Sequence, residues 1–139
     1  MDKKQLAYFI LEIERYCKNS IQTMSNSPID GKYYTDIKYT SVATGTLYLA
    51  YLHTLDSFLY LKNIFPKERE NKLFYENNFA KIPELPNLKS EFKFMYNKLH
   101  IERYYNSKNN LFLVEDWKKC KQIFKNSLEQ LKKKAKSLN

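Results

Sequence analysis

The sequence predicts an all-α fold: a five-helix bundle, four of its helices long, running up and down around a central helix at about 36–63. Three observations carry this. Two glycines and four prolines in 139 residues leave too few turns for a sheet protein. Apolar residues recur at three- and four-residue steps through most of the chain, which places them on single helix faces. The stretch 39–63, YTSVATGTLYLAYLHTLDSFLYLKN, is apolar on nearly every side and so belongs between other helices. A chain of this length reads as one domain over 1–139. It buries about two-thirds of its unfolded surface, so its core needs no metal or disulfide.

The first helix covers 3–24. Leu6, Ile10, Ile13, Cys17, Ile21 and Met24 form its apolar stripe, and Ser25-Asn26-Ser27-Pro28 stops it. The link 29–34 holds an Asp30-Gly31 turn signal; without flanking strand patterns it reads as a loop rather than a hairpin. Asp36 suits the positive N-terminal end of the central helix. One face of that helix carries Val42, Leu49, Leu52, Asp56 and Leu59. Another carries Leu47, Tyr51, Thr54, Phe58 and Leu61, so both faces are expected to pack. Gly45 costs up to about 1 kcal/mol against Ala in a helix interior, and close approach by a neighbour would offset it.

Pro66 suits the first turn of a shorter third helix at about 67–80, patterned by Leu73, Phe74 and Phe79. Pro83 and Pro86 make 81–87 a loop, and Asn87 is a candidate N-cap. Leu88, Phe92, Met95 and Leu99 mark a fourth helix at about 88–106, broken by the polar run 106–110. The fifth, at about 113–137, carries the stripe Leu113, Trp117, Cys120, Phe124, Leu128, Leu131, Ala135 and Leu138.

The net charge of +9 is unevenly placed. From Lys118 onward there are eight Lys and one acid, Glu129; the residues before it carry sixteen basic and fourteen acidic groups. Lys118, Lys121, Lys125, Lys132 and Lys136 follow helical spacing and form a candidate anion or nucleic-acid face. A solvated helix exterior gives the same pattern. Arginine, whose planar fork suits phosphates and base edges, occurs only at Arg15, Arg69 and Arg103. An AT-rich genome also produces a chain rich in Lys, Asn and Tyr.

Cys17 and Cys120 lie far apart, on apolar helix faces, without CxxC or Cys/His zinc spacing. The N-terminal stretch lacks a signal-peptide pattern, and the longest apolar run, 47–52, is far short of the roughly 20 residues that span a bilayer. The expectation is a cytoplasmic protein with reduced thiols, no cofactor, no metal and no membrane contact. There is no P-loop, GxGxxG or HExxH.

Three constellations remain. His53 and Asp56, three residues apart, share a helix face, and Tyr96 and His100 are one turn apart on the fourth helix. If those helices are neighbours, the four could gather in one candidate polar pocket. An acid/base pair is the functional interpretation, and a structural hydrogen-bond network the plain one. Tyr33, Tyr34, Tyr39, Tyr104 and Tyr105 lie near helix ends and loops and form a candidate interface, because Tyr buries area at low entropic cost; a rim of half-buried tyrosines capping the core, or rings stacking on unpaired bases, gives the same pattern.

Several of these residues carry a resemblance. Asp30-Gly31-Lys32-Tyr33-Tyr34-Thr35-Asp36, Lys38-Tyr39, Ala43-Thr44-Gly45-Thr46-Leu47-Tyr48, Leu55-Asp56, Tyr96-Asn97-Lys98-Leu99-His100 and Tyr104-Tyr105 span almost the whole chain. Together they resemble a family of small uncharacterised bacterial proteins, mainly of the Bacteroidetes, known as a domain of unknown function. The resemblance implies a helical fold and no established activity. More loosely, the helix order resembles HEPN-type bundles, many of them RNases or toxin–antitoxin components. Active members carry Arg, four to six residues, then His. At those distances stand Met95, Phe94 and Lys93 before His100, and Tyr48, Leu47 and Thr46 before His53, so the nuclease motif is missing.

The favoured functional expectation is a non-enzymatic protein-interaction module that self-associates as a homodimer. The alternative is a HEPN-like RNA- or DNA-associated protein, and a third is an enzyme centred on Asp56 and His100.

Overall fold

A computed structural model of the chain describes residues 1–67, 71–102 and 111–138. Among them are five α-helices and one small sheet: α1 (Lys3–Ser25), β1 (Ile29–Asp30), β2 (Tyr33–Tyr34), α2 (Ile37–Tyr60), α3 (Lys72–Glu76), α4 (Leu88–Met95), β3 (Phe112–Leu113) and α5 (Val114–Lys136). A 3-10 turn, Phe79–Lys81, follows α3, and α4 runs directly into a π-helical segment, Tyr96–Ile101.

Cross-helix pairs fix the directions. Phe9 meets Tyr60 and Tyr16 meets His53, so α1 and α2 run antiparallel. Tyr51 meets Phe92 and Tyr48 meets Tyr96, which reverses the chain again. Lys98 pairs with Asp116 while Lys119 lies over Phe94, so α5 reverses against α4. Glu14 pairs with Lys132, closing the ring between α1 and α5. The four long helices thus form the expected up-and-down bundle. Central α2 packs against α1, the π segment and α5. Leu47, Tyr51, Leu55 and Phe58 of α2 meet Leu6, Ile13, Phe92, Met95, Trp117 and Phe124 in the core.

The helix ends follow from local chemistry. Asp2 accepts from the Gln5 backbone N–H at 2.7 Å while Gln5 accepts from that of Asp2 at 3.0 Å, a reciprocal cap on α1. Asp36 caps α2, accepting from the Lys38 N–H at 3.0 Å. At the other end of α2, Asn63 takes a left-handed conformation (φ 59°). The Ile64 N–H then reaches the Leu59 carbonyl at 2.9 Å, which satisfies an otherwise unpaired group.

Four expectations need correction. Residues 29–34 are a hairpin after all: β1 and β2 pair antiparallel, Gly31 (φ 60°) supplies the positive φ of the two-residue turn, and β3 adds to the far side of β2. Two-residue strands are too short to show a period of two, and the third strand is remote in sequence. The third helix is shorter than expected. It starts at Lys72 behind the cap Asn71, with Pro66 outside it. The fourth helix changes to π geometry at Tyr96, and its expected end at 106 lies outside the described residues. Finally, one face of α2 is partly bare: Val42 is 55% and Leu49 42% exposed, and Gly45, Leu52 and Asp56 are only half-buried.

Candidate functional site

The polar residues singled out on α2 and α4 each meet a specific neighbour. His53 stacks on Tyr16 of α1, with ring centroids 5.6 Å apart and planes 7° from parallel. Burial holds its imidazole below the ordinary value, and Glu12 only partly counters this. Arg15 lies over the other partner of that stack, 5.5 Å from the Tyr16 ring, and pairs with Glu12 at 2.7 Å. Asp56 accepts a hydrogen bond from the Tyr75 hydroxyl at 2.9 Å. Tyr75 comes from α3 and is itself buried, stacked on Phe92.

Tyr96 and His100 do come together. His100 stacks on Tyr48 of α2 at 5.2 Å and leans on Tyr96 at 5.3 Å, while Lys72 sits 4.9 Å above the Tyr96 ring. The π segment positions this group, since its wider turn presents Tyr96 and His100 towards the same edge of α2. Tyr48 and His53 lie on opposite edges of the outer side of α2, about 140° apart at 100° per residue. One edge is taken by the π segment and the other by α1. These contacts supply aromatic packing and a carboxylate–phenol hydrogen bond. Burial, and secondarily Tyr96, pushes the Tyr48 phenol up, and no thiol is poised as a nucleophile. Burial pushes the Cys120 thiol up to about 12 and raises that of Cys17. Among the described residues no group of three or more His, Cys, Asp and Glu could hold a metal ion. No described helix is long and apolar enough to cross a membrane.

Tyr16 and Tyr75, the partners of His53 and Asp56, escape sequence reasoning. Tyr16 sits beside the α1 stripe and Tyr75 lies in a segment with weak periodicity. Tyr51 is also unexpected: fully buried, its hydroxyl has no hydrogen-bond partner among the described residues. Burial, and then Glu91, pushes that phenol up.

Of the interface tyrosines, Tyr33 is exposed and Tyr34 and Tyr39 half-buried; Tyr104 and Tyr105 lie outside the described residues. The Val114 N–H donates to the Lys32 carbonyl at 2.9 Å, so the hairpin sits against the start of α5; burial raises the Tyr34 phenol and nearby Lys118 opposes it. On α5, Lys125, Lys132 and Lys136 border α1, while Lys118 pairs with Glu115 of its own helix at 3.2 Å. Burial lowers the Lys121 ammonium, and Lys125 and Lys118 lower it further. Lys125 edges a hollow floored by Cys17, Ile21 and Phe124. Lys132 bridges to Glu14 at 3.0 Å, and Lys136 edges a second hollow beside Lys3.

Comparison with known proteins identifies fold and family. A solved protein of unknown function from Dyadobacter fermentans superposes with a TM-score of 0.73 over 96% of this chain and 99% of its own, at 20% identity, which shows a shared fold. No curated protein matches the chain. A family model described as a domain of unknown function (DUF5618) matches residues 9–130, and the chain belongs to that family.

Proposed function

We propose that this chain is a non-enzymatic protein-interaction module that forms a homodimer through the outer side of α2. The observation that carries this is the exposure of Val42 and Leu49 on the most apolar helix of the bundle. Tyr39 and Gly45 continue the same side. Gly45 has no side chain, so a second helix can approach closely between the two aliphatic residues. Between Tyr39 and Tyr60 the helix carries no Lys or Arg, so a copy of the chain meets little like charge there.

The polar residues support the same interpretation from the other side. His53 and Asp56 are held by Tyr16 and Tyr75, as in structural joints. Sedimentation velocity at micromolar and near-millimolar chain tests the dimer. The expected result is a mass that doubles with concentration and reverts to monomer in a Val42→Glu/Leu49→Glu variant of unchanged circular dichroism. A monomer at every concentration would refute it.

A second reading has its own observation. Lys118 and Lys125 stand close enough to Lys121 to add to the burial that lowers its ammonium, and Tyr34 lies near Lys118. That combination suits a single-stranded nucleic acid, with phosphates on the lysines and a base on the phenol ring. Random single-stranded RNA should then bind at low salt and release at high salt; no binding at low salt removes this reading.

A further inference from the structure

The seam between α1 and α5 is built differently from the rest of the bundle. Its floor is apolar but open. One hollow of about 510 Å³ is floored by Ala7, Ile10, Leu11 and Ala135, and Leu11 is 66% exposed. A second, of about 360 Å³, continues the line over Cys17, Ile21, Phe124 and Leu128. The rims are basic: Lys3 and Lys18 on α1, and Lys125, Lys132 and Lys136 on α5. Among the described residues the one carboxylate lining these hollows, Glu14, is paired with Lys132.

We propose that this seam is a docking groove for an acidic amphipathic helix of a partner protein. The inference deepens the interaction-module reading by giving it a partner, on a face separate from the outer side of α2. Length fits: from Ala7 to Ile21 the groove runs roughly 21 Å at 1.5 Å per residue, about four turns of a docked helix. Shape fits, because two shallow hollows in line, parted by the Glu14–Lys132 pair that crosses the seam, cover one apolar stripe of a helix but cannot surround a small molecule. Charge selects the partner. Glu or Asp flanking the apolar stripe would meet lysines on both rims, whereas a second copy would set lysine rims against each other. The apolar floor argues for a helix over a nucleic acid, which would use the lysines and leave Leu11 idle.

The test uses the full chain and a fluorescein-labelled peptide of about 18 residues, Leu and Ala on one helical face and Glu on the other. Fluorescence anisotropy should show saturable binding that weakens several-fold in high salt. Leu11→Glu and Lys136→Glu should each weaken it about tenfold, and Leu49→Glu should leave it unchanged. Absence of binding overturns the proposal, as does equal binding of a scrambled or Lys-for-Glu peptide. Two other outcomes also overturn it. If Leu11→Glu leaves affinity intact while oligo-uridine displaces the peptide, the seam is a polyanion surface. If Leu11→Glu abolishes self-association, the occupant is a second copy. Loss of peptide binding with an intact dimer, or the reverse, separates this inference from the α2 interface.

Discussion

The seams on either side of the bundle solve the same packing problem differently. Between α2 and α4 the contact is closed by rings. Tyr51, Tyr75, Phe79 and Tyr96 all pack on Phe92, and His100 lies on Tyr48. Between α1 and α5 the contact is mostly aliphatic, hollow and rimmed by lysines. Aromatic side chains fill wide gaps and carry a polar tip that finds a partner, as Tyr75 does in Asp56. Small residues such as Ala7 and Ala135 leave space that lysine stems only partly cover. The closed seam is filled by ring contacts, and the open one leaves apolar surface uncovered.

That contrast can be broken at its centre. Phe92→Ala should destabilise the chain by about 3–5 kcal/mol, read from urea unfolding, because four rings lose their common neighbour. A loss below about 1 kcal/mol would mean the aromatic seam is not the anchor. Tyr75→Phe should cost about 1–2 kcal/mol by removing the hydrogen bond to Asp56 from a part-buried site. Replacing Tyr51 by Phe should act in the opposite direction. Its hydroxyl is buried without a partner among the described residues, so removing it should be neutral or stabilise by up to about 1 kcal/mol. Clear destabilisation would reveal a bond the hydroxyl makes in solution.

His53 sharpens the comparison through pH. Its imidazole titrates below the ordinary 6.5 because burial disfavours the charged form. The unfolded chain therefore binds the proton more readily. Stability from this site is fully present above the unfolded value and is lost as pH falls through the window between that value and the lower folded one. Thermal melts from pH 7.5 down to 5.5 should show this decline, and His53→Gln should flatten it. An identical slope in the variant would assign the dependence elsewhere. The smallest effect belongs to the open seam: Leu11→Gln should shift stability by less than about 0.5 kcal/mol in the same urea assay, since Leu11 is largely exposed. A cost above about 2 kcal/mol would show that the groove is closed in solution.

Much of this architecture is legible in the residues. The stripes of α1, α4 and α5 place Leu6, Ile13, Phe92, Met95, Trp117 and Phe124 in the core because a 3.6-residue period leaves little choice. The cap Asp36 and the lysine side of α5 are likewise local. The candidate site is less legible. His53 and Asp56 share a helix face by spacing, yet their contacts are set by Tyr16 and Tyr75, which other helices deliver. The exposure of Val42 and Leu49 is hidden because an apolar side chain reads the same whether a neighbour covers it or not.

By itself, then, the sequence determined the long helices, their order and where the charge lies, since these depend on periodicity and on side-chain chemistry within a few residues. Only the tertiary structure decided which apolar faces stay open, which ring each histidine meets and that the lysine stripe of α5 borders a groove on α1. Those outcomes depend on contacts between residues far apart in the chain. Glu14 and Lys132 meet only because two antiparallel helices bring them within 3.0 Å.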